Sequence, residues 1–197
     1  MMSQIEVSEI QQELELTDIP NFVRMRDVQE FAPNMEVQAE EIRDVFYEIP
    51  ELSFENWRNL DMEQRVDALN QFEKKIAEIE MRSPLPVVHE MMPVGNYGYC
   101  DGEKLVISDS QLESNTYDDY REMLDTLFHE GRHAYQFYNL GVQRTEQSDE
   151  LIQSWDSNLN KLGYQNASSV GFYRYYTQPV EVDARLFAET VIKKIGI

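Results

Sequence analysis

The chain has 197 residues, with 17 Lys or Arg against 37 Asp or Glu and a formal charge of −20. That length suits one domain with its own core, and 42% apolar residues argue against wholesale disorder. The charge argues against direct nucleic-acid binding and against an anionic membrane surface, since both need clustered cations.

The acidity is uneven. Residues 1–60 carry 14 acids and 4 bases, residues 61–128 carry 15 and 6, and residues 129–197 carry 8 and 7. The last third is therefore nearly neutral. Cys100 is the single cysteine, which excludes an intramolecular disulfide and a Cys-rich zinc ribbon. The polar start lacks the basic and apolar regions of a signal peptide. No apolar run is long enough to span a membrane. A cytoplasmic location with no membrane partner is the expectation.

In chain order, residues 1–35 read as an acidic tail or arm, interrupted by Pro20 and Pro33. Residues 36–197 read as a single domain, with 85–197 as the half that carries the motifs below. A helix is predicted from Met35 to Tyr47, stopped by Pro50. A stronger one runs from Asp61 to Met81, with Asp61 as N-cap and Val66, Leu69, Phe72, Ile76 and Ile79 at helical spacing. Ser83-Pro84 closes it. The period then changes. Pro86-Val87-Val88, Tyr97 to Cys100 and Leu105 to Ile107 read as three short strands, the last two joined by an Asp101-Gly102 turn.

A long helix follows from Tyr117 to Asn139. Tyr120, Met123, Leu124, Leu127, Phe128, Gly131, Ala134, Tyr135 and Tyr138 lie on its stripe, and Gly141 is its stop. Further helices are expected from about Ser148 to Leu162 and from Gln178 to Ile195, with Pro179 in the first turn of the last. The expected fold class is α+β: mainly helical, with a small three-stranded mixed or antiparallel sheet beside the long helix.

That helix contains His129-Glu130-Gly131-Arg132-His133, an H-E-x-x-H motif. Four residues turn a helix by about 400°, so the two imidazoles share one face and can reach one metal ion. A chain with three histidines and 24 Glu meets this motif by chance at roughly 0.006 per sequence. The face lies opposite the apolar stripe, so the histidines are expected to face a cleft. A catalytic zinc needs a third protein ligand. His89, in the strand region, is one candidate. Glu181 is the better one, at the edge of the last helix's stripe, where it is expected to reach inward without leaving solvent. Asp183 lies on the far edge. Taken without the motif, both acids complement a helix dipole.

These residues together resemble the zincin metallopeptidases of the glutamate-zincin branch, in which H-E-x-x-H on one helix is followed by E-x-x-A on another. Glu181-Val182-Asp183-Ala184 fits the second element, and Phe187-Ala188 extends it as in the ImmA/IrrE-type peptidases. His133-Ala134-Tyr135-Gln136 and Gln178 to Ala184 resemble small bacterial and phage-associated zincin-like domains. The likeness covers roughly 85–195. It implies a zincin-like fold and a zinc ion (Zn2+) on His129, His133 and Glu181. It also implies Glu130 as general base in hydrolysis of a peptide or protein substrate, with activated water as nucleophile. Arg132, Tyr173, Tyr175 and Tyr176 are candidate donors to the transition state. Leu105 to Ser108 is the expected edge strand for an extended peptide. Where relatives carry Asp or Asn four residues after the ligand, this chain has Arg185, and Asp183 is the acid that could brace a histidine instead. Cys100 is read as a small buried residue or an inhibitory fourth ligand. An alternative reading is a non-catalytic acidic binding protein, a decoy that mimics nucleic acid. A third keeps the metal without turnover. Oligomeric state is not legible.

Overall fold

A computed structural model describes residues 34–145, 147–161 and 163–197. The tail expected over residues 1–35 lies almost wholly outside them. The described residues are mainly helical with one small mixed sheet, the expected α+β class.

Helix α1 (Met35–Glu48) buries Met35, Gln38, Ala39, Ile42 and Phe46, a stripe at three- and four-residue spacing. A 3-10 turn at Pro50–Leu52 and the short α2 (Phe54–Trp57) lead to α3 (Met62–Ile79). Asp61 caps α3 as expected. Its carboxylate accepts from the Gln64 N–H at 2.9 Å, and the Gln64 side chain accepts from the Asp61 N–H at 3.0 Å, a complete capping box.

Strands β1 (Val87–Glu90), β2 (Gly98–Cys100) and β3 (Leu105–Ser108) form a sheet in the order β1-β3-β2. β1 runs parallel to β3, and β2 antiparallel to it. The Asp101-Gly102 turn forms as expected: Asp101 Oδ1 accepts from the Glu103 and Lys104 N–H groups, and Gly102 takes φ +88°. One expectation fails. β3 is the central strand, buried along its length, so Leu105 to Ser108 cannot accept an added peptide strand. The edges are β1 and β2.

After the short α4 (Asp109–Glu113) comes α5 (Tyr117–Gly141), capped by Thr116 Oγ1, which accepts from the Asp119 N–H. Gly141 is the last helical residue, and the cap is Val142 in a right-handed conformation. α6 (Asp149–Asp156) gives way to a π-turn at Ser157–Lys161 where one continuous helix is expected. Short α7 (Ala167–Val170) and α8 (Phe172–Tyr176) precede α9 (Pro179–Ile195). Pro179 occupies its first turn, and Gly196 ends it at φ +84°. α9 packs along α5 and α1, and the sheet leans on α5. The core joins Ile42, Trp57, Phe72, Tyr120, Phe128, Tyr135, Trp155 and Phe187 from these elements.

Gly98 lets β2 lie against α5. A Cβ there would sit 2.5 Å from the Val106 carbonyl oxygen and 2.6 Å from Thr126 Cγ2. The first neighbour is backbone of the central strand and cannot yield cheaply. Gly98→Ala is expected to lower the unfolding free energy by about 1–3 kcal/mol, measured by urea denaturation. A neutral substitution would mean that β2 is not pinned to the helix.

Candidate metal centre

α5 carries His129, Glu130 and His133, and α9 brings Glu181 against them. His129 Nε2 lies 3.1 Å from His133 Nε2. It lies 3.4 Å from Glu181 Oε2, and His133 Nε2 lies 3.5 Å from Glu181 Oε1. These three side chains could hold a metal ion, and they are the one such group among the described residues. His129 and His133 retain 16% and 13% exposure, whereas Glu181 retains none. That corrects the expectation that Glu181 stays in solvent. Its Oε1 accepts from the Tyr164 hydroxyl at 2.7 Å, and its buried Oε2 has no hydrogen-bond donor. An orphaned carboxylate oxygen facing an imidazole nitrogen is what a cation between them would satisfy. Arg185 Nη1 stands 3.6 Å from the same oxygen, with its guanidinium stacked on the Tyr176 ring.

The electrostatics agree. Burial alone would raise the Glu181 carboxyl, but the two imidazoles outweigh it and hold it well below the usual carboxylate range. Burial alone would lower His133, but the Glu181 carboxylate outweighs it and pushes the imidazole up to about 9.

Beside it opens a cleft of about 620 Å³. Its floor is α5 from Glu130 and His133 to Phe137, Leu140 and Gly141. One wall is β2, and the other is Leu159, Asn160, Tyr164 and Tyr175. Glu130 lies in the lining next to the cluster without belonging to it. Burial and the nearby Glu181 carboxylate raise both phenols: Tyr164 well above its ordinary value and Tyr175 to about 12. Both stay neutral O–H donors at physiological pH.

Other expected site residues lie elsewhere. Arg132 is fully buried on the core side. Its guanidinium pairs with Asp183 at 2.9 and 3.2 Å and rests on the Tyr135 and Phe187 rings. It cannot donate to a substrate. Tyr173 is 51% exposed, and the Tyr176 ring is taken by Arg185. Neither lines the cleft, whereas Tyr175 between them does. His89 bonds Asp109 at 2.8 Å on the surface. Asp183 is no ligand: it accepts from Arg132 and, at 2.8 Å, from Gln136 Nε2, while Gln136 Oε1 faces His133 Nδ1 at 2.8 Å. Cys100 lines the cleft but stands outside the ligand group, and burial pushes its thiol up to about 12.

Sequence reading missed Tyr164. It is placed by Gln178, which accepts from the Gln165 N–H at 2.9 Å and from Asn158 at 3.0 Å, and donates to the Gln165 carbonyl at 2.7 Å. No local pattern announces a loop fixed from 13 residues away. Among the described residues no helix is long and apolar enough to cross a membrane. Comparison with family models, with curated proteins and with solved structures finds no match, so the chemistry of the site stands on its own geometry.

Proposed function

We propose that the chain is a zinc-dependent peptidase in which His129, His133 and Glu181 hold the metal and Glu130 is the general base. The observation that carries this reading is the donor set: two imidazole nitrogens 3.1 Å apart, each within 3.5 Å of one oxygen of the same buried carboxylate. Two histidines and one carboxylate, with a position left for water, is the donor chemistry of a catalytic zinc. Magnesium prefers oxygen donors.

A zinc ion so held supplies a Lewis acid and makes water acidic near neutral pH. Glu130, in the cleft lining, would accept the proton of the attacking water and return it to the leaving amine. The balance is that of hydrolysis: amide and water give carboxylic acid and amine. Tyr175 lines the cleft and is the candidate donor to the carbonyl oxygen as it gains charge, the Tyr164 hydroxyl being committed to Glu181. β2 offers an edge for an extended peptide. Phe137, Leu140 and Leu159 give the far end of the cleft an apolar surface, and no Lys or Arg lines it. Internal segments with an apolar side chain beyond the cleaved bond are therefore the expected substrates. Amino-terminal labelling of a peptide library treated with zinc-loaded protein is expected to reveal new termini of that kind, absent with Glu130→Gln. Identical libraries from both would overturn the assignment.

Metal uptake should also depend on pH. His133 titrates at about 9 in the metal-free protein, so it is protonated at pH 7 and must lose that proton to bind a metal. Zinc affinity is expected to rise about tenfold per pH unit from about 7 to 9 and then flatten. Because the folded value lies above the unfolded one, the stability it lends the metal-free protein is complete below about pH 6.5 and lost as pH rises through about 9. Calorimetric zinc titrations in buffers of different ionisation enthalpy should count about one proton released per ion at pH 7. A count of zero would contradict the cluster's electrostatics.

A further inference from the structure

We infer that Gln136 is a positioning residue that holds the His133 ring in the tautomer protonated on Nδ1, leaving the Nε2 lone pair for the metal. The inference rests on the metal reading above. Gln136 is fully buried one turn after His133. Its Nε2 lies 2.9 Å from the Val180 carbonyl oxygen and 2.8 Å from Asp183 Oδ2. A carbonyl oxygen can only accept, and so can a carboxylate paired with an arginine. The amide nitrogen must therefore face both of them, and Oε1 must face His133. That oxygen also only accepts, so His133 Nδ1 must carry the hydrogen across the 2.8 Å contact. Turning the amide over would set oxygen against two acceptors.

What fixes the acceptors fixes the ring. Asp183 accepts from Arg132 Nε at 2.9 Å and from Nη2 at 3.2 Å. Arg132 Nη1 also donates to Gln38 at 3.3 Å and lies 3.8 Å from Glu80. Glu80 is in turn bonded at 2.7 Å by Arg82, whose Nη1 and Nη2 pair with Glu73 at 2.6 and 3.0 Å. The chain of ions thus runs from α3 through the core to the metal ligand. It supplies the bracing that Arg185, having no acceptor, cannot.

The test is nitrogen-resolved NMR of the His133 ring with a competitive zinc titration. Wild-type zinc-loaded protein is expected to show a protonated Nδ1 and a metal-bound Nε2. Gln136→Met keeps the volume without the acceptor and should bind zinc 10–100-fold more weakly. Gln136→Glu, with one oxygen accepting from Nδ1 and the other protonated toward Asp183, should recover affinity to within a few-fold. A wild-type ring bound through Nδ1, or equal zinc affinity in Gln136→Met and wild type, would overturn the inference. Should Gln136→Met fail to fold, the wild-type tautomer decides. If wild type takes up no zinc, the metal reading fails on its own. The tautomer is then read on the neutral ring of the metal-free protein, where Nδ1 must still be the protonated nitrogen.

Discussion

Glu130→Gln is expected to lower peptide hydrolysis by about 10²- to 10⁴-fold while leaving zinc binding and folding intact. Glu130 lies in the cleft lining beside His133 but is not among the three donors, so its loss removes a base and no ligand. Proton transfer by a placed carboxylate contributes about that factor to a rate. Glu181→Gln should behave differently. It removes the one anionic donor, leaves two imidazoles, and should cost metal and activity together. The check is a pair of measurements on each variant: bound zinc per chain and kcat on a peptide selected from the library. If Glu130→Gln kept its rate, or lost zinc with it, the assignment of roles would be wrong.

The second large effect falls on stability. Arg132→Met is expected to lower the unfolding free energy by about 3–5 kcal/mol, because breaking a buried ion pair strands its partner. The partners here are the fully buried Asp183 and Glu80. Burial already pushes the Glu80 carboxyl up despite two arginines, so it has little reserve. A domain holds about 5–15 kcal/mol in total, so this variant would stand close to unfolding. Urea denaturation at pH 7 measures it. The double variant Arg132→Met with Asp183→Asn should recover part of the loss, since no ionised Asp183 is then stranded. A single-variant loss below about 1 kcal/mol would mean that the guanidinium is not the keystone of the buried network.

Much of this was legible in the chain. The Asp61 cap, the α5 stripe, the Asp101-Gly102 turn and the H-E-x-x-H spacing are local signals, and each formed as read. Glu181 comes together with the two histidines, but in an environment the sequence did not announce. Its burial depends on Tyr164, which arrives from a loop held by Gln178. Arg132 drew attention by sitting inside the motif, yet helical phase already separates it by 200° from Glu130. Its sign and length suited a substrate contact, but its side of the helix did not. Among Tyr173, Tyr175 and Tyr176 only packing on α9 decides which ring reaches the cleft. The order of the sheet was equally hidden, because β1 pairs with β3 across an intervening strand and no local pattern records that.

The central claim is that His129, His133 and Glu181 form a zinc site, and equilibrium dialysis against zinc at pH 7.5 tests it most directly. The account predicts one zinc per chain at micromolar free metal, reduced at least tenfold in affinity by His129→Ala, His133→Ala or Glu181→Gln and unchanged by His89→Ala. A wild-type chain that takes up no zinc, or holds it equally well without Glu181, would contradict it.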